Sequence, residues 1–444
     1  RRMTPKQTNS YCHYPFFQLA LKQWEKGHGI ITAAPCCNAL RPSNDFDALK
    51  IKEKLQNAPV PLTPKEIFFG SEMEELRNDM MQGKKNPACQ VCWDMEMRSG
   101  DASSYRLMSD KPDDFDLEDI NLSGLDLAFE EDCNLRCRMC SPGLSNKLRV
   151  DLKFFRENEL KIDSWGSGVN DFEPNYTPNS ENQTYNFDNE GPQWKKILDN
   201  IHELRTIKAT GGETLLSESF NQFLDVAIET GNAKNITLEF HTNATVFTSK
   251  MMYKLNFFKK INPTFSIDTA NEKSYEYIRY PMSWKMLEKS VYKFIDNIDN
   301  EKVDLIHINS VMSVMTAFDY RELCDWVKQI GRICDTNMHL WVDELWPKEK
   351  AINITYLPHQ MLSQLRNEYY LLDEQYNIWK KGRNMFFSIK HVINLIDEVL
   401  SKEENTQREK MLYEIRAFDA SRKQDYHDFL HPWIIEFLDE ESYD

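Results

Sequence analysis

Between residues 125 and 342 the chain repeats one pattern: a short apolar run, a turn, a stretch with helical periodicity, then another apolar run. Such alternation is the signature of βα units built around a parallel sheet, and few folds accept it. Strands are expected near 125–129, 207–210, 236–241, 264–268, 305–314 and 339–342, with helices around 220–229, 250–258, 284–295 and 320–330. Units of this kind imply an α/β class and a partial (β/α)6 TIM-like barrel. In such a fold the chemistry sits at the C-terminal ends of the strands.

The 444 residues leave room for two or three domains. Residues 1–115 read as a small Cys-rich α+β domain, 116–350 as the barrel, and 351–444 as a C-terminal helical extension. In the first segment a helix is expected from Ser71, with Met73, Leu76 and Met80 on one face and Gly83 as its stop. An acidic stretch, 110–119, reads as a linker. Residues 163–192 are rich in Asn, Ser, Gly and Pro and are too long for a plain βα connection, so they read as a surface insertion, either a lid or a disordered loop. Beyond Pro358 the pattern is helical, with Met361, Leu365, Tyr369 and Leu372 sharing one face.

A hydrophobic fraction of 41% with 12% aromatics excludes a disordered chain. The balance of 54 Lys and Arg against 70 Asp and Glu gives a net charge of −16, which argues against long nucleic acids and anionic membranes as partners. No run approaches the roughly 18 to 20 apolar residues of a membrane span, so a cytoplasmic protein is expected. In that reducing setting, ten cysteines point to metal or catalysis more than to disulfides. Eight of them precede residue 141.

The most informative segment is 132–140, DCNLRCRMC, directly after the first barrel strand. Three thiols spaced CxxxCxxC on one loop suit a cubane iron–sulfur cluster with one iron left open. They equally suit a zinc site awaiting a fourth ligand, or buried thiols. Context narrows this, because CxxxCxxC after strand one and Gly211-Gly212-Glu213 at the end of strand two resemble the radical S-adenosylmethionine (SAM) superfamily. The resemblance covers roughly residues 120–345. It implies a 4Fe-4S cluster on Cys133, Cys137 and Cys140, SAM chelated to its open iron, and a 5′-deoxyadenosyl radical that abstracts hydrogen from a substrate.

The same resemblance implies further cofactor-binding residues. Met139 stands where the family usually has an aromatic residue packing on adenine. Gly211 and Gly212 let the backbone approach the cofactor, and Glu213 accepts from the SAM ammonium. Thr242-Asn243-Ala244 is similar to the family's TNG, and Ser266-Ile267-Asp268-Thr269 to its SxDG, with Ser266 at the SAM carboxylate or ribose. Alternation points Ser266 and Asp268 the same way. Arg279 either binds the SAM carboxylate or is a solvent-exposed helix arginine. Asn309 either reaches the cofactor or bonds to its neighbours.

Cys12, Pro35-Cys36-Cys37 and Cys89-Gln-Val-Cys92-Trp resemble a twitch/SPASM-like auxiliary cluster domain, here in front of the barrel instead of behind it. The implied ligands of a second 4Fe-4S cluster are Cys12, Cys36, Cys89 and Cys92, with Cys37 as the alternative at the second position and zinc as the alternative metal. Cys37, if not a ligand, is a thiol able to donate a hydrogen atom to a substrate radical. Cys324 and Cys334 read as ordinary buried thiols. Auxiliary-cluster members of the family mostly act on peptides or proteins, so a peptide or protein side chain is the expected substrate, with a reducing partner such as flavodoxin or ferredoxin. The alternatives are a nucleotide, sugar or other small metabolite, or a non-catalytic cluster-binding interaction module.

Overall fold

The computed structural model describes residues 10–23, 31–40, 63–99, 104–108, 115–129, 131–162, 165, 192–345, 350–377 and 385–440. The expected insertion at 163–192 lies almost entirely outside these residues. The chain forms two compact units. The first comprises Arg1–Glu130, Thr177–Phe240 and Tyr253–Ile261, and the second Glu131–Tyr176, His241–Met252 and Asn262–Asp444.

The first unit carries strands β1 (Gln18–Gln23), β2 (Ile31–Ala34), β3 (Gly124–Ala128), β4 (Thr206–Thr210) and most of β5 (Thr237–Thr242), ordered β2-β1-β3-β4-β5. β1 and β2 form an antiparallel hairpin, with Ala20 opposite Ala34. β1 also runs parallel to β3, Leu21 opposite Leu127, so segments on both sides of residue 115 share one sheet. Alternation then sorts the side chains. Leu127, Ala209 and Phe240 lie in one register row and are buried. Asp126, Lys208 and Glu239 form the adjacent row on the other face.

Helices α1 (Pro64–Phe68), α2 (Ser71–Met81), α3 (Gln90–Ser99) and α4 (Tyr105–Met108) belong to the N-terminal part. α2 buries Met73, Leu76 and Met80, the face its spacing predicts.

The second unit carries most of β6 (Lys260–Ser266), β7 (Leu305–Met312), β8 (Asn337–Glu344) and β9 (Met385–Ser388), ordered β6-β7-β8-β9 and paired in parallel. Phe265, Ile308 and Leu340 share one row on the apolar face. Ser266, Asn309 and Trp341 share a row on the opposite face, and so do Thr264, His307 and His339.

Every strand expected from the sequence is present. The C-terminal extension differs from its all-helical expectation, because β9 separates its helices and joins the sheet beside β8. Four residues are too short to display an alternation, and only the partner strand makes them extended. Among the described residues no helix is long and apolar enough to cross a membrane.

Candidate functional site

The CxxxCxxC loop is held open by its own polar residues. Asn146 Oδ1 accepts from the Cys133 amide at 3.3 Å, its Nδ2 donates to Asp132, and the Ser145 hydroxyl donates to the Leu135 carbonyl at 2.8 Å. The Leu135 amide points at Cys133 Sγ, 3.4 Å away. In its middle the loop runs beside residues 278–280, with the Arg136 amide donating to the Tyr280 carbonyl at 2.7 Å and the Arg138 amide to the Ile278 carbonyl at 3.0 Å. Cys137 lies between those two bonds and opposite Arg279.

Arg279 is buried, which excludes the solvent-exposed alternative. Its Nε donates to Asp268 Oδ2 at 2.6 Å, and its Nη1 lies 3.8 Å from Cys137 Sγ. Its Nη2 has no protein partner among the described residues. Asp268 also accepts from the Val311 amide at 2.9 Å, so this carboxylate ties Arg279 to β7. Burial raises the Cys137 thiol to about 12, against the lowering effect of Arg279. Burial likewise raises Cys140, which the Lys350 ammonium opposes. Lys350, buried, donates to the Met139 carbonyl. Asn243 Nδ2 donates to Asn134 Oδ1 at 2.8 Å and stands 3.9 Å from Cys133 Sγ, while Asn134 donates to Thr245. The second unit thus gathers Cys133, Cys137, Cys140, Met139, Asn243, Asp268 and Arg279 around one loop, with Ser266 and Asn309 as register partners on its sheet.

Two backbone details bear on the glycine-rich signatures. Gly211 adopts φ +151°, a region that side-chain-bearing residues avoid. Ala244, where the family resemblance has glycine, adopts φ +61°. Glu213 is buried at 1% exposure, and its Oε1 accepts from the Leu215 amide at 3.2 Å, capping the turn Thr214–Leu216.

The N-terminal cysteines also come together. Cys12 lies in an apolar cluster with Tyr14, Phe16, Phe17, Leu76 and Met80, against which Cys36 and Cys89 pack. Cys89 ends the turn Pro87–Cys89, which Asn86 caps, and Cys92 follows on α3. Burial raises the thiols of Cys12, Cys36 and Cys89, and mutual proximity adds to it: Cys36 feels first Cys37, then Cys92, Cys12 and Cys89, and Cys12 feels Cys89 and Cys92.

Adjacent Cys37 instead meets Lys208 Nζ at 3.4 Å. Lys208 in turn lies 3.6 Å from Asp126. As the side chains stand, no three Cys, His, Asp or Glu groups among the described residues close on one point. The cysteines are gathered as neighbourhoods, not as finished shells.

The donor chemistry fits iron–sulfur ligation. One set offers three thiols with cationic and amide groups beside them, the other four thiols in an apolar core. Cys324 and Cys334 are buried on the helix Tyr320–Cys334, as read. Lys350 and Asn134 escaped the sequence reading, since Asn134 fills one of the unspecified positions of CxxxCxxC and only folding brings Lys350 to the loop. A cavity of about 440 Å³ lined by Phe16, Phe115, Asp119, Ser123 and Arg205 opens at the N-terminal ends of β3 and β4, the end opposite to that expected for the chemistry.

No family model matches this chain, and no curated protein matches it. Solved structures do. SuiB of Streptococcus suis bound to the precursor peptide SuiA matches at 15% identity over 72% of this chain and 55% of that one, with a TM-score of 0.36. SuiB bound to S-adenosylmethionine matches at 14% identity over 77% of this chain and 59% of that one, with a TM-score of 0.37. A His-tagged anSMEcpe with bound AdoMet matches at 14% identity over 60% of this chain and 63% of that one, with a TM-score of 0.34. This chain therefore spans less than two thirds of each of these proteins, and the reading of the site rests on its own residues.

Proposed function

We propose that this chain is a radical SAM enzyme that modifies a peptide or protein side chain. The observation that carries the reading is the gathering of Cys133, Cys137 and Cys140 on the loop after β3, with the Arg279 guanidinium against Cys137. A 4Fe-4S cluster and SAM bound there would supply one-electron reductive chemistry for hydrogen abstraction from the substrate. The three cysteines hold that cluster, and Asn243 steadies the Cys133 side. Arg279, fixed at Nε by Asp268, offers its Nη2 edge to the SAM carboxylate; a guanidinium suits that planar group. Met139 packs on the adenine, Ser266 and Asn309 bond the ribose or carboxylate, and Gly211, Gly212 and Glu213 serve the ammonium. Cys12, Cys36, Cys89 and Cys92 hold an auxiliary cluster of the twitch/SPASM kind, and that domain type supports the peptide or protein substrate.

The test is anaerobic. The chain is reconstituted with iron and sulfide, mixed with SAM and dithionite, and assayed for 5′-deoxyadenosine. Production by the wild type and none by Cys137→Ala is the expected result. Equal yields from both, or none from a wild type carrying full iron and binding SAM with a candidate peptide present, would end the proposal.

A further inference from the structure

The two arginines interleaved with the cysteines have no part in the reading above, and the structure gives both a defined partner. Residues 136–138 run beside 278–280 through the Arg136 and Arg138 amide bonds, and the side-chain contacts sort into two groups. Cys137 turns toward Arg279, and Arg136 and Arg138 turn the other way, into a layer of buried acids and aromatic rings.

Arg138 has a fully buried side chain. Its Nη2 donates to Asp419 Oδ1 at 2.5 Å and to Gln424 Oε1 at 3.0 Å, its Nε donates to the Tyr277 carbonyl at 3.1 Å, and the guanidinium lies 3.6 Å from the Tyr277 ring centroid. Tyr277 closes the circuit by donating its hydroxyl to the same Asp419 oxygen at 2.7 Å. Arg136 makes a two-pronged pair with Asp151, on the helix Arg149–Glu157, its Nε donating at 2.9 Å. Asp151 also accepts from the Ser421 hydroxyl at 2.6 Å and from Arg422 Nη2 at 3.1 Å. Asp419, Ser421 and Arg422 all belong to the helix Arg408–Arg422, a segment with no motif of its own.

We infer that Arg136 and Arg138 are positioning residues, and that the C-terminal helix Arg408–Arg422 is a working part of the cysteine site. By anchoring the alternate side chains outward, this lattice fixes the face that Cys137 presents. It also places a surplus of cations, Arg136, Arg138 and Arg422 against Asp151 and Asp419, behind a loop whose cluster carries net negative charge. The helix thus does for the iron what partners behind a ligand do in other metal sites: it sets ligand orientation and field without touching the metal.

The inference rests on the proposed cluster, so its test separates the two. The full chain is loaded with iron and sulfide as wild type, Arg138→Met, Arg138→Lys and Arg136→Gln, with a Cys133/Cys137/Cys140→Ala triple variant to define the loop-bound iron. Three quantities are read: iron retained by the loop against a chelator, the low-temperature electron paramagnetic resonance spectrum of the reduced centre, and the Tm of the iron-free chain.

Retention is expected to fall by about 10- to 100-fold in Arg138→Met, with a shifted or broadened spectrum. Arg138→Lys, which keeps the charge but loses the planar fork, should not restore the wild-type spectrum. A purely structural role would lower the Tm and leave the spectrum of the bound centre unchanged, and that result overturns the inference. Should Arg138→Met fail to fold, Arg136→Gln carries the test, since that side chain is 16% exposed. A wild type that takes up no more iron than the triple variant overturns the functional reading and this inference together. Normal wild-type loading with unaltered variants overturns the inference alone.

Discussion

The two groups of cysteines are assembled by opposite means. Around Cys133, Cys137 and Cys140 stand charged and amide groups: Arg279 beside Cys137, Lys350 acting on Cys140, Asn243 beside Cys133. Around Cys12, Cys36 and Cys89 stand Tyr14, Phe16, Phe17, Leu76 and Met80, and the thiols there are raised by burial and by one another, with Arg106 as a lowering neighbour of Cys12 and Cys89. The loop is a prepared socket whose shape is held by hydrogen bonds and ion pairs outside the ligands. The N-terminal group is a core with thiols in it, where a metal would itself be the main polar cross-link. The lesson is that the loop site should outlast loss of its metal, whereas the N-terminal segment should not.

The largest effect that would break this contrast comes from the ligands themselves. Cys137→Ala should abolish 5′-deoxyadenosine formation and leave the Tm of the iron-free chain close to that of the wild type. Cys89→Ala should lose the N-terminal iron and make residues 63–99 readily cleaved by protease, with loop iron retained. Iron per chain, product yield and proteolytic mapping read these outcomes, and equal protease sensitivity in the two variants would erase the distinction.

A smaller effect sharpens the contrast in the absence of metal. His339, on β8, is 8% exposed, and burial together with the neighbouring His307 imidazole lowers its pKa to about 3. With the folded pKa below the unfolded value, the unfolded chain takes the proton first. The contribution is therefore intact above about pH 6.5 and is lost as pH falls toward 3. Between pH 7 and pH 5 this single group should cost the second unit about 2 kcal/mol. Thermal melts of the iron-free chain at both values, repeated with His339→Asn, check it: the variant should lose that part of the acid sensitivity.

The smallest effect concerns Ala244. At φ +61° its side chain is strained, and Ala244→Gly should stabilise the chain by about 0.5–1 kcal/mol, read as a small rise in Tm. A fall in Tm would mean that the methyl group packs better than the backbone is strained.

Much of this architecture is legible in the residues. The strands from β3 to β8 announce themselves because each is a short apolar run closed by turn residues, and α2 because Met73, Leu76 and Met80 fall at helical spacing. β1 and β9 are not among the strands read from the residues, since pairing with β3 and β8 is what makes them strands of these sheets.

At the site, the cysteine spacing is a local signal and reads directly. Spacing could not choose between Cys36 and Cys37. In the fold Cys37 meets Lys208, and Cys36 neighbours Cys37, Cys92, Cys12 and Cys89. Sequence alone leaves Arg279 open between two readings, and its burial against Asp268 removes the solvent-exposed one. The helix Arg408–Arg422 was silent for a related reason: Asp419 and Arg422 are ordinary helix residues in sequence, and their meaning comes from Arg138 and Asp151, some 270–280 positions away.

The parallel pairing of β1 with β3 has a practical consequence for anyone who would trim this chain. An expression fragment begun near residue 116 would leave the β3 edge bare, a row of unsatisfied amides and carbonyls beside the buried Leu125 and Leu127. Exposed edges of that kind template intermolecular pairing, and the fragment should aggregate where the longer chain does not. Covering the β3 edge is therefore a role of β1 that does not depend on whether Cys12 or Cys36 ever meets a metal.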